Sequence, residues 1–323
     1  MSRWTKKAAA VLFHSAGGNW WIRNRFRQAV RILMYHRFPK DSRFEAQCAH
    51  LRKHYAPVSL TEAADRLRDG KPIRERLVVV TVDDGYRDFL ENALPALRRY
   101  DIPSTVFLTT DLPDHHTWLW VDQVTYCIRR SRIRELALPI AGRERWLLDT
   151  EEKRAQAAIA IKEAMKRIPD RERHVLLAKL PGMLNVELPE QAPESHAPLR
   201  WDDVRQLAKS GVEFGAHTRT HPILSRLATI ERLQEEIVGS KQRIEQEAGI
   251  EVRHFCYPNG TPADITPQTV DVVKDGGFST AVMGTLGVNR VGANLFELRR
   301  IAVEPSDDDM RFSRVVAGYG ISE

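Results

Sequence analysis

Two short stretches place reactive side chains where strands should end. Thr81-Val82-Asp83-Asp84-Gly85-Tyr86 sets two adjacent carboxylates at the close of an apolar run, Leu77 to Val82, and follows them with glycine. The run has the length and β-branching of a buried strand. Neighbouring carboxylates repel each other unless a cation or a shared proton relieves them. Far downstream, Gly215-Ala216-His217-Thr218-Arg219-Thr220-His221-Pro222 carries two histidines four residues apart after a second apolar run, Val212 to Phe214. One carboxylate and two imidazoles, with a position left for water, form the ligand set of a catalytic divalent site of the zinc type. The other aspartate is then free to act as a base.

The pair of motifs resembles the polysaccharide deacetylase family, the NodB-homology carbohydrate esterases. That family's Thr-Phe-Asp-Asp-Gly stands here as Thr81-Val82-Asp83-Asp84-Gly85, and its His-Thr-x-x-His-Pro as His217 through Pro222. Either motif alone is weak, since two histidines can fall four apart on any solvated helix. Both together, in this order and each trailing a strand-like run, are specific. The resemblance implies removal of N-acetyl groups from amino sugars of a bacterial polysaccharide or its lipid-linked precursor. It assigns a divalent metal, Zn2+ first with Co2+ or Ni2+ as alternatives, to Asp84, His217 and His221, and proton abstraction from water to Asp83.

Further site residues follow from the same resemblance. Arg31-Ile32-Leu33-Met34-Tyr35-His36 reads as a first strand ending in a histidine, which in a large bacterial subgroup faces the active site. The family's third motif, Arg-x-Pro-Tyr, corresponds to Cys256-Tyr257-Pro258-Asn259, with Cys256 in place of the arginine and Asn259 in place of the aromatic. The Asn259 backbone N–H is left to stabilise the oxyanion. Tyr257, Pro258, Asn259 and Trp201 are the expected substrate-binding residues. A late Leu-x-His is absent, because no histidine follows His254. His36 is therefore expected to protonate the leaving amine, and Arg300 to orient Asp83. His254 sits within its strand, where alternation turns it from the face used by Phe255.

These side chains need a scaffold of alternating strands and helices. Strand-like segments begin near 31, 77, 104, 212, 252, 278 and 299. Periodicity alone says α/β; the resemblance makes it a distorted, incomplete seven-stranded (β/α) barrel. Residues 111–198 exceed any barrel connection and read as an inserted helical subdomain over the mouth of the site. Its Trp118, Trp120 and Trp146 either form a small core or stack on sugar rings. The charges of the helix over 224–248 read as a solvated outer face. The expected division is a basic leader at 1–28, a barrel at 29–110 and 199–323, and the insertion at 111–198.

At 323 residues, 42% hydrophobic and 28% charged, the chain has the composition of a globular protein. No run of 18 or more apolar residues is present, so no helix is expected to cross a bilayer. Cys48, Cys127 and Cys256 are odd in number and widely spaced, which suits buried free thiols in a reducing compartment. The net charge of +6 is uneven: residues 1–40 hold Arg3, Lys6, Lys7, Arg23, Arg25, Arg27, Arg31, Arg37 and Lys40 and no acid. With Trp4, Trp20, Trp21 and Phe26 as interfacial anchors, this block suits anionic lipid or an anionic substrate. The apolar stretch Ala8 to Phe13 after Lys6-Lys7 falls short of a signal core of ~7–15 residues, and His14 ends it. A cytoplasmic protein peripheral to the membrane is expected. No nucleic-acid motif accompanies the basic block. Two other readings fit the scaffold: an amide or imide hydrolase acting on a different carbon–nitrogen bond, and a glycan-binding relic without catalysis. The second has no use for Asp83, since binding needs ligands but no base.

Overall fold

The computed structural model describes residues 18–321. Seven strands make the frame: β1 (Arg31–Tyr35), β2 (Leu77–Val82), β3 (Ser104–Leu108), β4 (Glu213–Ala216), β5 (His254–Cys256), β6 (Thr280–Leu286) and β7 (Leu298–Ala302). Each pairs in parallel with the next in the chain, and β7 pairs with β1. The distorted seven-stranded (β/α) barrel expected from the sequence is thus present, and its ring is closed rather than incomplete. Closure depends on β1, whose Leu33 lies opposite Val80 on one side and Ile301 on the other. Distortion is concentrated between β6 and β7, where the register shifts between Leu298 and Arg300.

The strands are mostly apolar because both faces are covered. All six residues of β2 are buried. Val79 joins Ile32, Phe107, Cys256, Val282 and Leu298 inside the ring. Val78 and Val80 join Leu33, Val106, Leu108 and Phe255 on the outer face, where Leu97, Leu207, Ile244 and Val273 of the surrounding helices pack. The helix Ile230–Ala248 buries Leu233, Ile237 and Ile244, and with them Glu236 and Ser240. Its charges are thus not all solvated, contrary to the reading from the sequence.

Between β3 and β4 the insertion forms four helices, Asp111–His115, Trp120–Arg130, Glu151–Met165 and Asp170–Leu184. It also contains an antiparallel hairpin, Glu135–Ile140 with Arg143–Leu147. The subdomain is therefore mixed rather than purely helical. Ala141 and Gly142 turn the hairpin, both with positive φ (57° and 72°), as a two-residue turn matched to strand twist requires. Trp120 and Trp146 belong to the insertion's core with Val124, Ile128, Leu136 and Ile161.

Arg3, Trp4, Lys6, Lys7, the stretch Ala8 to Phe13 and His14 lie outside the described residues, as does the side chain of Trp20. The helix Gly18–Arg25 is described and packs on the helix Asp309–Ala317. Phe26 is fully buried against Gly318, so packing already begins ahead of the expected boundary at residue 28. Among the described residues no helix is long and apolar enough to cross a membrane.

Candidate active site

The first half of the site is built where β2 runs out. Asp83 extends the ladder, its N–H donating to the Tyr35 carbonyl at 2.9 Å. The next two residues are left-handed, Asp84 at φ 75° and Gly85 at φ 84°. A Cβ at Gly85 would lie 2.3 Å from Leu108 Cδ1, so both conformation and space demand glycine. The left-handed turn parts the two carboxylates, sending Asp83 toward Arg300 and Asp84 toward the histidines.

The second half follows β4, in a loop rather than a helical turn. Thr218 (φ 67°) and His221 (φ 57°) are left-handed. Thr218 Oγ1 accepts from the His221 N–H at 3.0 Å. Glu236, 1% exposed, accepts from the N–H groups of Arg219 and Thr220, both at 2.9 Å, and from Thr220 Oγ1 at 2.7 Å. Trp120 of the insertion donates its indole N–H to the His221 carbonyl at 3.1 Å. Glu236 was assigned no role at the site from the sequence, and Trp120 only a place in the insertion's core or against sugar rings.

Asp84, His217 and His221 have the features of a cation site. Both Nε2 atoms lie 3.6 Å from Asp84 Oδ1, and the three potential ligand atoms are within 4.8 Å of one another. Asp84 Oδ1 is buried without a hydrogen-bond partner among the described residues. His217 Nδ1 lies 2.8 Å from the Cys256 carbonyl, which holds the proton there and turns the Nε2 lone pair to Asp84. Burial, reinforced by Asp83, pushes the Asp84 carboxyl well above its usual range. Burial also pushes His217 down to about 4 and His221 well below its ordinary value, so both rings are neutral and able to ligate. A divalent cation bound there would supply the charge this cluster lacks. A second grouping, Asp83, His217 and Cys256, fits less well. Asp83 is already occupied, and burial keeps the Cys256 thiol protonated.

Arg300 grips Asp83 with both ends of its fork, Nη1 to Oδ1 and Nη2 to Oδ2, each at 2.7 Å and with both residues buried. The guanidinium is itself fixed by the Met283 carbonyl (2.8 Å) and Thr81 Oγ1 (3.2 Å). Its Nη2 lies 3.1 Å from Cys256 Sγ, so the guanidinium sits beside the residue that stands where the family's motif has an arginine. Burial pushes the Asp83 carboxyl up, but the charge and hydrogen bonds of Arg300 outweigh it and hold Asp83 well below the ordinary range. His36 Nε2 lies 3.8 Å from Asp83 Oδ2, with the ring half exposed.

These groups share a cavity of about 420 Å³, roofed by Leu119, Trp120, Val121, Ile159, Lys162 and Lys166 of the insertion. Tyr257 and Asn259 line it too, while Pro258 is buried between them. Asn259 Oδ1 accepts from Lys166 Nζ at 2.9 Å, tying insertion to barrel. Trp201 does not reach the cavity. Its indole N–H donates to Asp114 Oδ1 at 2.8 Å and its ring lies under the Arg243 guanidinium, so it serves a surface ion cluster.

A family model described as polysaccharide deacetylase matches residues 70–281. YxkH of Bacillus subtilis (strain 168) is 31% identical over 128 residues, 37% of this chain and 46% of that protein. The poly-β-1,6-N-acetyl-D-glucosamine N-deacetylase of Escherichia coli (strain K12) is 38% identical over 66 residues, 20% of this chain and 10% of that one. The chain thus spans less than half the length of these curated relatives. The Streptococcus pyogenes deacetylase PplD, solved in complex with acetate, shares the fold, with a TM-score of 0.59 and 17% identity over 90% of this chain and 98% of that one.

Proposed function

The chain belongs to the polysaccharide deacetylase family, and on that premise we propose that it is a metal-dependent hydrolase. Its substrate is an N-acetylated amino sugar of a bacterial exopolysaccharide or of its lipid-linked precursor. One observation carries the reading: a buried, Arg-held carboxylate beside a cluster of one carboxylate and two neutral imidazoles, all opening on one cavity. A metal held by Asp84, His217 and His221, with Zn2+ best matched to two imidazoles and a carboxylate, lowers the pKa of water and polarises an amide carbonyl.

The chain's own residues do the rest. Asp83 accepts the proton of the attacking water, and Arg300 keeps it ionised and aligned for that transfer. His36, within 3.8 Å of Asp83, is placed to deliver a proton to the departing amine. Asn259, set at φ 59°, lines the cavity, and its backbone N–H is assigned to the oxyanion. The cavity volume is in the range of sugar-sized ligands.

The test is acetate release from N-acetylated glucosamine oligomers after chelation and reloading with zinc, cobalt or nickel. Asp83→Asn is expected to keep its metal and lose activity by about 10²–10⁴-fold. Glycan binding by a wild-type protein that releases no acetate under any loading would reduce the molecule to a binding relic. Turnover of cyclic imides alone would move it to the other carbon–nitrogen hydrolases.

A further inference from the structure

We propose that the end of the barrel opposite the catalytic cavity is an anion-binding face that seats the protein on a membrane of acidic phospholipid. This inference does not rest on the hydrolytic reading. Arg76 immediately precedes β2 and Asp83 immediately follows it. At ~3.3 Å per residue, the two ends lie about 20 Å apart.

At that far end a cavity of about 470 Å³ is lined by Arg27, Lys53, His54, Arg74 and Arg76 against one acid, Glu75. Among the described residues Arg27, Lys53, Arg74 and Arg76 make no ion pair, and Arg76 Nε is buried without a hydrogen-bond partner. Beneath the cavity lies a further cation. Arg31 is fully buried, and its guanidinium donates only to carbonyls, those of Val316 (2.9 Å), Phe26 (3.0 Å), Ala317 (3.3 Å) and Ala29 (3.4 Å). Its Cζ lies 5.2 Å from the ring of Tyr55, which also lines the cavity. Carbonyl dipoles orient a buried guanidinium but do not neutralise it. Arg23 and Arg76 both bear electrostatically on Arg31, and Arg23, Lys53 and Arg76 all bear on His54, so one positive field covers this end.

A bilayer rather than a dissolved anion is the occupant because of what borders the cavity. The helix Gly18–Arg25 carries Arg23 into this field and presents Trp21 with 73% of its surface exposed. Tryptophan beside cations is the pairing favoured at the boundary of headgroups and acyl chains. The sequence leading into the helix adds Arg3, Lys6 and Lys7 and no acid. Seated this way, the catalytic cavity points away from the bilayer toward a glycan extending from it.

The full chain should cosediment with vesicles of phosphatidylcholine and phosphatidylglycerol, and not with phosphatidylcholine alone, with binding lost at high salt. Combined Lys53→Ser, Arg74→Ser and Arg76→Ser should weaken partition roughly a hundredfold, with acetate release and melting temperature controlling for folding. The milder pair Arg27→Ser and Arg74→Ser, both exposed, should weaken it by a smaller factor if the triple variant fails to fold. Trp21→Ala should weaken binding without altering its salt dependence. Unchanged vesicle binding by a folded charge variant would overturn the proposal and assign attachment to residues before 18. Stabilisation by inorganic phosphate without vesicle binding would overturn it in favour of a soluble anion.

Discussion

A carboxylate buried as deeply as Asp83 is costly unless a cation meets it, and Arg300 meets both of its oxygens. Lysine at 300 would keep the charge and lose the fork, so the base would remain ionised but free to swing. Arg300→Lys is expected to lower kcat about 10–100-fold with KM little changed. Arg300→Leu would leave the charge bare and destabilise the fold by about 3–5 kcal/mol. Steady-state acetate release and urea unfolding read the two effects, and an Arg300→Lys enzyme as fast as wild type would remove Arg300 from the chemistry. Asp83, Asp84, His217 and His221 were legible because motif and strand end coincide in the sequence. Arg300 was legible only indirectly, through the cysteine at 256. Trp201 misled because no local pattern says which face of the helix Trp201–Lys209 meets the cavity.

Loops ending two strands carry the proposed ligands only because neighbouring elements hold them. Glu236, from the helix Ile230–Ala248, satisfies two backbone N–H groups and a hydroxyl between the two histidines. Glu236→Leu would leave those donors buried and unmet, at about 1–3 kcal/mol each. The expected result is metal affinity weakened about 10–100-fold, as for other groups that orient ligands. Competition with a chelator measures it, and Glu236→Gln, which keeps one acceptor, should fall between. Equal affinities in all three proteins would show that the loop holds itself. The sequence hid this role because a glutamate among Glu, Arg and Gln on a long helix looks solvated, and only packing against another element shows otherwise. The hairpin in the insertion was missed, since the block was read as helical, although Leu136 and Leu138 alternate into its core and Ala141-Gly142 marks the turn.

For the whole molecule, acid is the informative stress. His254 is buried in the barrel wall, its ring nitrogens 2.7 Å from Thr280 Oγ1 and 2.9 Å from Thr61 Oγ1, and burial lowers its pKa to about 4. An unfolded histidine titrates near ~6.5. Between those values the unfolded chain binds a proton that the folded one refuses. Stability from this residue is therefore complete above pH ~6.5 and falls as pH drops through the window toward 4, by on the order of 3 kcal/mol. Urea unfolding across that range, with chelator present so that His217 and His221 contribute equally, should show a shallower slope for His254→Gln than for wild type. Parallel slopes would refute it. Strand count was legible at this scale, and ring closure was not, because no residue pattern in β1 announces that it has two neighbours. That closure sets an order of events during synthesis. The proposed ligands and base all leave the ribosome before Arg300, which stands 217 positions beyond Asp83 and 79 beyond His221. A nascent chain lacking β7 has its ligands in hand and its base unrestrained. The strand that shuts the ring also delivers the clamp, so Asp83 gains its partner only together with the last piece of the wall.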